Sequence, residues 1–169
     1  KKNKGKCIFD FIKKKFNIIR IKKKKSSEKK ILQCNIINQK KLNLIISKEK
    51  PKLIIHLAAQ SLVDDTINKK KYYDNNVVAT NTLLKVMKNH NIKKIIFSST
   101  AAIYNQSPKL LTEKSKINPL SFYAKTKLVC EDNIIKQKKI RSIILRFFNV
   151  CSALNKPIIG VSNNPITHF

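Results

Sequence analysis

The chain has 169 residues, enough for one domain with a packed core and too few for two. Its 37 basic residues against 9 acidic ones give a net charge of +28, which on its own points to nucleic acid or an anionic surface as partner. Lysine, isoleucine and asparagine fill 78 of the 169 positions and arginine only three, so compositional bias explains the charge better than a binding face, and neither a specific nucleic-acid partner nor a membrane partner is expected.

Taken in chain order, residues 5–15 read as a helix with Ile8, Phe11 and Ile12 on one side, and "FNIIRI" (16–21) as a short strand. A polar connection, "KKKKSSEKK", leads to a weak strand at "ILQC" (31–34). "QKKLNLIISKEK" (39–50) has helix spacing, with Leu42, Ile45 and Ile46 facing the core. Pro51 punctuates, and "KLIIHLAA" (52–59) is a continuous apolar run, as a strand covered on both faces requires. "NNVVATNTLLKVMKNH" (75–90) predicts a helix with Val78, Leu83, Leu84 and Met87 stacked at three- and four-residue spacing. "KKIIFSST" (93–100) predicts a second buried strand, residues 120–138 a helix, and "RSIILRFFNV" (141–150) a third strand. Strands alternating with long helices define an α/β fold, a Rossmann-like parallel sheet flanked by helices. From about residue 155 the periodicity stops.

Cys7, Cys34, Cys130 and Cys151 lie far apart and show no metal-ligand spacing, so they read as buried small hydrophobes. His56, inside an apolar strand, reads as a hydrogen-bonded core residue, and His90 as a helix-end surface residue; no metal is expected. No run is long and apolar enough to span a bilayer, and the cytoplasm is the expected compartment.

The chemistry is concentrated in "SFYAKTK" (121–127). Residues at i and i+4 share a helix face, so Lys127 stands one turn from Tyr123. A phenol titrates near 10 and is a poor base at neutral pH, whereas a nearby ammonium favours the phenolate. Such a pair can take a proton from a sugar or alcohol hydroxyl while hydride leaves the same carbon. The spacing alone is weak in a chain one-fifth lysine. Ser98, Ser99 and Thr100 strengthen it, because they fall at the carboxyl end of a parallel strand, where open α/β sheets place their ligands.

The segments "IIHLAAQSLV" (54–63), "YYDNNVVATNTLLKVM" (72–87), "IIFSSTAAIYN" (95–105), "NPLSFYAKTKLVCE" (118–131) and "ILRFFNVCSA" (144–153) together resemble the extended short-chain dehydrogenase/reductase family, on its sugar-nucleotide epimerase side. The closing "NNPITHF", with its Thr-His pair, resembles the same branch. The resemblance implies NAD as cofactor, a UDP-sugar as substrate, a homodimer through the helices at 75–90 and 120–138, and interconversion of UDP-glucose and UDP-galactose through a 4-keto sugar. It implies Tyr123 as base, Lys127 lowering its pKa and holding the nicotinamide ribose, and Thr100 bonding the reacting hydroxyl. Ala58, Ala59, Asn76, Ser98, Ser99 and Phe147 would line the cofactor, and Asn149 would meet the substrate diphosphate.

The family's opening strand and G-x-x-G-x-x-G turn have only Gly5 as a counterpart here, and "RIKKKK" stands where an acid grips the adenosine ribose. Cys34-Asn35 replaces the usual Gly-Asp pair. The expectation is therefore a partial NAD-binding domain over 1–153, with 154–169 opening a linker towards a missing substrate lobe. Two alternatives stand beside it: an inactive fragment of such an enzyme, and a nucleotide-sugar 4,6-dehydratase relative. Ala101 and Ala102, where dehydratases usually carry an acid, argue against the second.

Overall fold

The computed structural model describes residues 16–23, 31–60, 68–105, 107 and 110–148. The expected helix at 5–15, Cys7, Asn149, Cys151 and the closing segment lie outside these residues.

Strands β1 (Arg20–Lys22) and β2 (Ile31–Gln33) pair in parallel, with Ile21 opposite Leu32. Helix α1 (Gln39–Glu49) starts where Asn38 accepts the Lys41 N–H at 3.0 Å, so the side chain satisfies one of the helix's orphan donors. It stops at Lys50, which takes a left-handed conformation at φ 42°. β3 (Ile54–His56) follows, shorter than its apolar run suggested.

The next helix begins at Lys69, six residues earlier than expected, because Asn68 caps it by accepting the Lys70 N–H. It runs as a short α-helical turn, α2 (Lys69–Tyr72), a π-helical stretch (Tyr73–Val78) and α3 (Ala79–Asn89). The wider π turn moves the inward face by one residue. Val77 is fully buried where Val78 was expected to be, while Leu83, Leu84 and Met87 face inward as the spacing predicted. α3 ends in a Schellman motif: Asn91 at φ 55° donates to Lys88 O and Ile92 to Met87 O. Glycine is the usual residue at such a site, but this chain has only two, and asparagine tolerates the conformation.

β4 (Lys94–Thr100) lies between β3 and β5 (Arg141–Phe147), all three parallel. The register aligns Ile55, Ile96 and Ile143 across the sheet, and His56, Phe97 and Ile144 in the next row on the opposite face. A 3₁₀ turn (Ala101–Ile103) leaves β4, and Tyr104 makes an antiparallel bridge to Ile117 that anchors the loop leading to α4 (Phe122–Ile135). Ser121 caps α4 by accepting the Ala124 N–H at 3.1 Å.

The helices cover the Ile95–Phe97 face of the sheet. Cys34, Leu42, Ile46, Val77, Leu83, Leu84, Met87, Ile95, Phe97, Cys130 and Ile134 form one buried cluster there, joined by Ile21, Ile54 and Ile144. Both strand groups therefore contribute to a single core, where each buried side chain of this size contributes about 1.5–3 kcal/mol. On the other face, Ile143 and Leu145 are exposed among the described residues. Cys34 and Cys130 are free and buried, as their isolation in sequence predicted.

Candidate active site

The carboxyl ends of β3 and β4 and the first two turns of α4 converge on one edge of the sheet. Thr100 closes β4 and its hydroxyl accepts the Ala102 N–H at 3.2 Å, starting the 3₁₀ turn. Tyr123, half-buried in the first turn of α4, stands near enough to Thr100 for that side chain to act on its phenol. Burial pushes the phenol above its ordinary range, and the neighbouring Thr100 side chain works the other way.

Lys127 is 2% exposed, and its Nζ lies 4.0 Å from the centroid of the Phe97 ring. Burial lowers it to about 8, against the opposing pull of Cys130 and Glu131. The ammonium rests on an aromatic face, and at the phenol desolvation is the larger influence. On the neighbouring strand His56 sits 3.0 Å from the Thr80 hydroxyl, buried as expected. Burial, with Lys127 adding to it, drives His56 down to about 3, so it stays neutral.

Asn76, 2% exposed, hydrogen-bonds along its whole amide. Its Oδ1 accepts the Gln60 N–H at 2.7 Å, and its Nδ2 donates to Gln60 O at 3.2 Å and to Thr126 Oγ1 at 3.0 Å. It ties the π-helical stretch to the loop after β3 and to α4. Ala58 is exposed and Ala59 half-buried on that loop, leaving the strand end open. Ser98 is half-buried, whereas Ser99 turns under α4 and donates its hydroxyl to Glu131. Phe147 is half-buried, directly opposite Thr100 in the register of β4 and β5.

Sequence reasoning did not find Glu131, Arg146, Tyr104 or Thr126. The signal available was an acid four positions after Lys127, continuing the Tyr123–Lys127 stripe in a chain with only nine acids. A cleft of about 610 Å³, lined by Lys50, Lys52, Lys93, Lys94 and Arg141, lies at the opposite edge of the sheet and holds none of the expected site residues. Among the described residues no cluster of three metal-ligating side chains occurs, and no helix is long and apolar enough to cross a membrane.

A parallel sheet flanked by helices, with a tyrosine-lysine helix beside a strand-end hydroxyl, describes a Rossmann-like nucleotide-binding unit. The chain belongs to the NAD dependent epimerase/dehydratase family, whose profile matches residues 8–163. It is 37% identical over 145 residues to a UDP-glucose 4-epimerase of Lactobacillus helveticus, a match covering 83% of this chain and 44% of that protein. The crystal structure of UDP-glucose 4-epimerase from Brucella ovis, in complex with NAD, superposes with a TM-score of 0.67 at 31% identity, over 70% of this chain and 38% of that one. The UDP-Glc/GlcNAc 4-epimerase of Campylobacter jejuni gives a TM-score of 0.74 at 26% identity, over 83% and 48%. The chain thus spans less than half the length of these relatives.

Proposed function

We propose that this chain is the nucleotide-binding half of a UDP-glucose 4-epimerase that interconverts UDP-glucose and UDP-galactose with NAD as cofactor. The observation that carries this reading is the placement of Tyr123 beside Thr100 at the carboxyl edge of β4, with Lys127 one turn along the same helix. The residues fit the nicotinamide end of the cofactor. Ala58 and Ala59 offer no side chain beyond Cβ, Asn76 fixes the loop that carries them, and Ser98 and Phe147 stand at the ends of the adjacent strands.

Lys127 would hold the nicotinamide ribose, and Asn149 would take the substrate diphosphate. When bound, NAD supplies the acceptor and later the donor of the hydride at sugar C4. Tyr123 takes the proton of the 4-hydroxyl, Thr100 holds that hydroxyl in reach, and Tyr123 returns the proton after the 4-keto sugar presents its opposite face. Burial raises the phenol in this structure, and a positive charge on Lys127 brought nearer Tyr123 would favour the phenolate. Ala101 and Ala102 place no carboxylate beside Thr100, which supports epimerisation over water elimination. Val129 and Ile135 are exposed on α4 and supply apolar surface for the homodimer that belongs to the same proposal.

Calorimetric titration of the 169-residue chain with NAD is the first test. Saturable one-to-one binding is expected, weakened at least about tenfold in a Tyr123→Phe, Lys127→Ala variant, a difference of about 1.4 kcal/mol. UDP-galactose epimerisation should fall by about 10²–10⁴-fold in Tyr123→Phe alone. No saturable NAD binding by the parent chain would overturn the reading.

A further inference from the structure

Glu131 is 1% exposed and is the one buried carboxylate among the described residues. A buried carboxylate costs several kcal/mol unless a partner of good geometry compensates. Here Arg146 supplies a two-point clamp: Nη2 donates to Oε2 at 2.8 Å, and Nε lies 3.2 and 3.3 Å from the two oxygens. The Ser99 hydroxyl donates to Oε1. Ser99 and Arg146 face each other in the register of β4 and β5, so one carboxylate on α4 is bound to two strands at the same level. Arg146 also donates from Nη1 to the Tyr104 hydroxyl at 2.9 Å and to Glu113 O at 3.4 Å.

Each of these residues adjoins the site. Ser99 precedes Thr100, Tyr104 ends the turn that Thr100 starts, and Glu131 lies one turn from Lys127 and two from Tyr123. Apolar packing fixes how far a helix stands from a sheet, but it resists sliding weakly. Directional, charge-assisted hydrogen bonds resist sliding well.

We propose that Glu131, clamped by Arg146 and Ser99, is a positioning residue that fixes the slide of α4 along the sheet and so holds Tyr123 within reach of Thr100. This rests on the epimerase reading for its purpose, but its geometry can be tested without turnover.

The same carboxylate bears on Lys127. The groups facing Lys127 are His56 from β3, the Phe97 ring from β4, and Cys130 and Glu131 on α4 itself, with Tyr123 one turn back. Glu131 in turn faces Ser99, Arg146 and Lys127. Removing its charge takes away a group that favours the ammonium and leaves Arg146 unpaired nearby. Both changes lower the Lys127 pKa.

The test uses the 169-residue chain with ¹³C-labelled lysine and tyrosine, assigned by Lys127→Arg and Tyr123→Phe. In Glu131→Gln the Lys127 titration midpoint should fall by about one pH unit, and Glu131→Asp should restore most of it. A Glu131→Met, Arg146→Met double variant replaces the pair with apolar side chains, a change that buried ion pairs often tolerate without loss of stability. It should stay folded by near-ultraviolet circular dichroism yet show a shifted Tyr123 Cζ resonance as the phenol moves relative to Thr100. A folded double variant with the parent's Tyr123 resonance would overturn the proposal, as would an unmoved Lys127 midpoint in Glu131→Gln. NAD titration of the parent runs beside these, so failure of the epimerase reading shows there alone.

Discussion

Lys127 carries its charge where burial works against it, which makes its chemistry and its stability oppose each other. Its folded value of about 8 lies below the ordinary 10.5, so between these pH values the unfolded chain keeps a proton that the folded chain has released. Stability should therefore rise as pH climbs from about 8 to 10.5, while below 8 both states are protonated and the penalty is present in full. Lys127→Met, close in volume and without charge, should stabilise the protein at pH 7 by about 1–3 kcal/mol, part of the gain being offset by the lost contact with Phe97. It should also abolish the rise above pH 8. Urea unfolding at pH 7 and pH 10 measures both. At this scale the Tyr123, Lys127 and Thr100 set was legible in the sequence, because helix periodicity and a strand end locate it. The committed hydroxyl of Ser99 was not, since its partner Glu131 lies 32 positions away and no local pattern reports such a pairing.

The elements that the sequence located best are those whose ends carry their own signals. Asn38 and Ser121 cap helices by their side chains, and the helix-spaced apolar residues between such caps set the faces that pack. The helix from Lys69 was placed six residues late because its first turns are lysine and tyrosine rather than an apolar stripe, and the π-helical stretch then breaks the period being counted. That stretch puts Asn76 where it can clamp the loop after β3, a role no spacing rule foretells. Asn76→Ala removes three hydrogen bonds and leaves the buried-side backbone of Gln60 without its partners. A loss of roughly 2–4 kcal/mol is expected, measured by urea unfolding. Asn76→Asp should recover little, because a carboxylate cannot donate to Gln60 O or Thr126.

Over the whole molecule the charge of +28 is repulsive, and nothing in the described ion pairing offsets more than a small part of it. The midpoint of thermal unfolding should rise by a few degrees as salt is raised from about 10 mM to 0.3 M, the range over which the screening length shrinks to less than 10 Å. Binding to DNA, if measured, should be indifferent to sequence and vanish over the same range. The parallel α/β class was legible from the alternation of apolar runs and helices. The division into a two-stranded and a three-stranded sheet was not, because strand partners are chosen by tertiary packing.

Lysine is so abundant here that its presence at a position says little, whereas a guanidinium says a great deal. Only three arginines occur, and Arg146 fills a place where a lysine would fail, since a single ammonium cannot grip both oxygens of Glu131 and reach Tyr104 together. In a skewed alphabet the rare letter is the informative one, and the residues that stand against the prevailing composition become a map of where geometry admits no substitute.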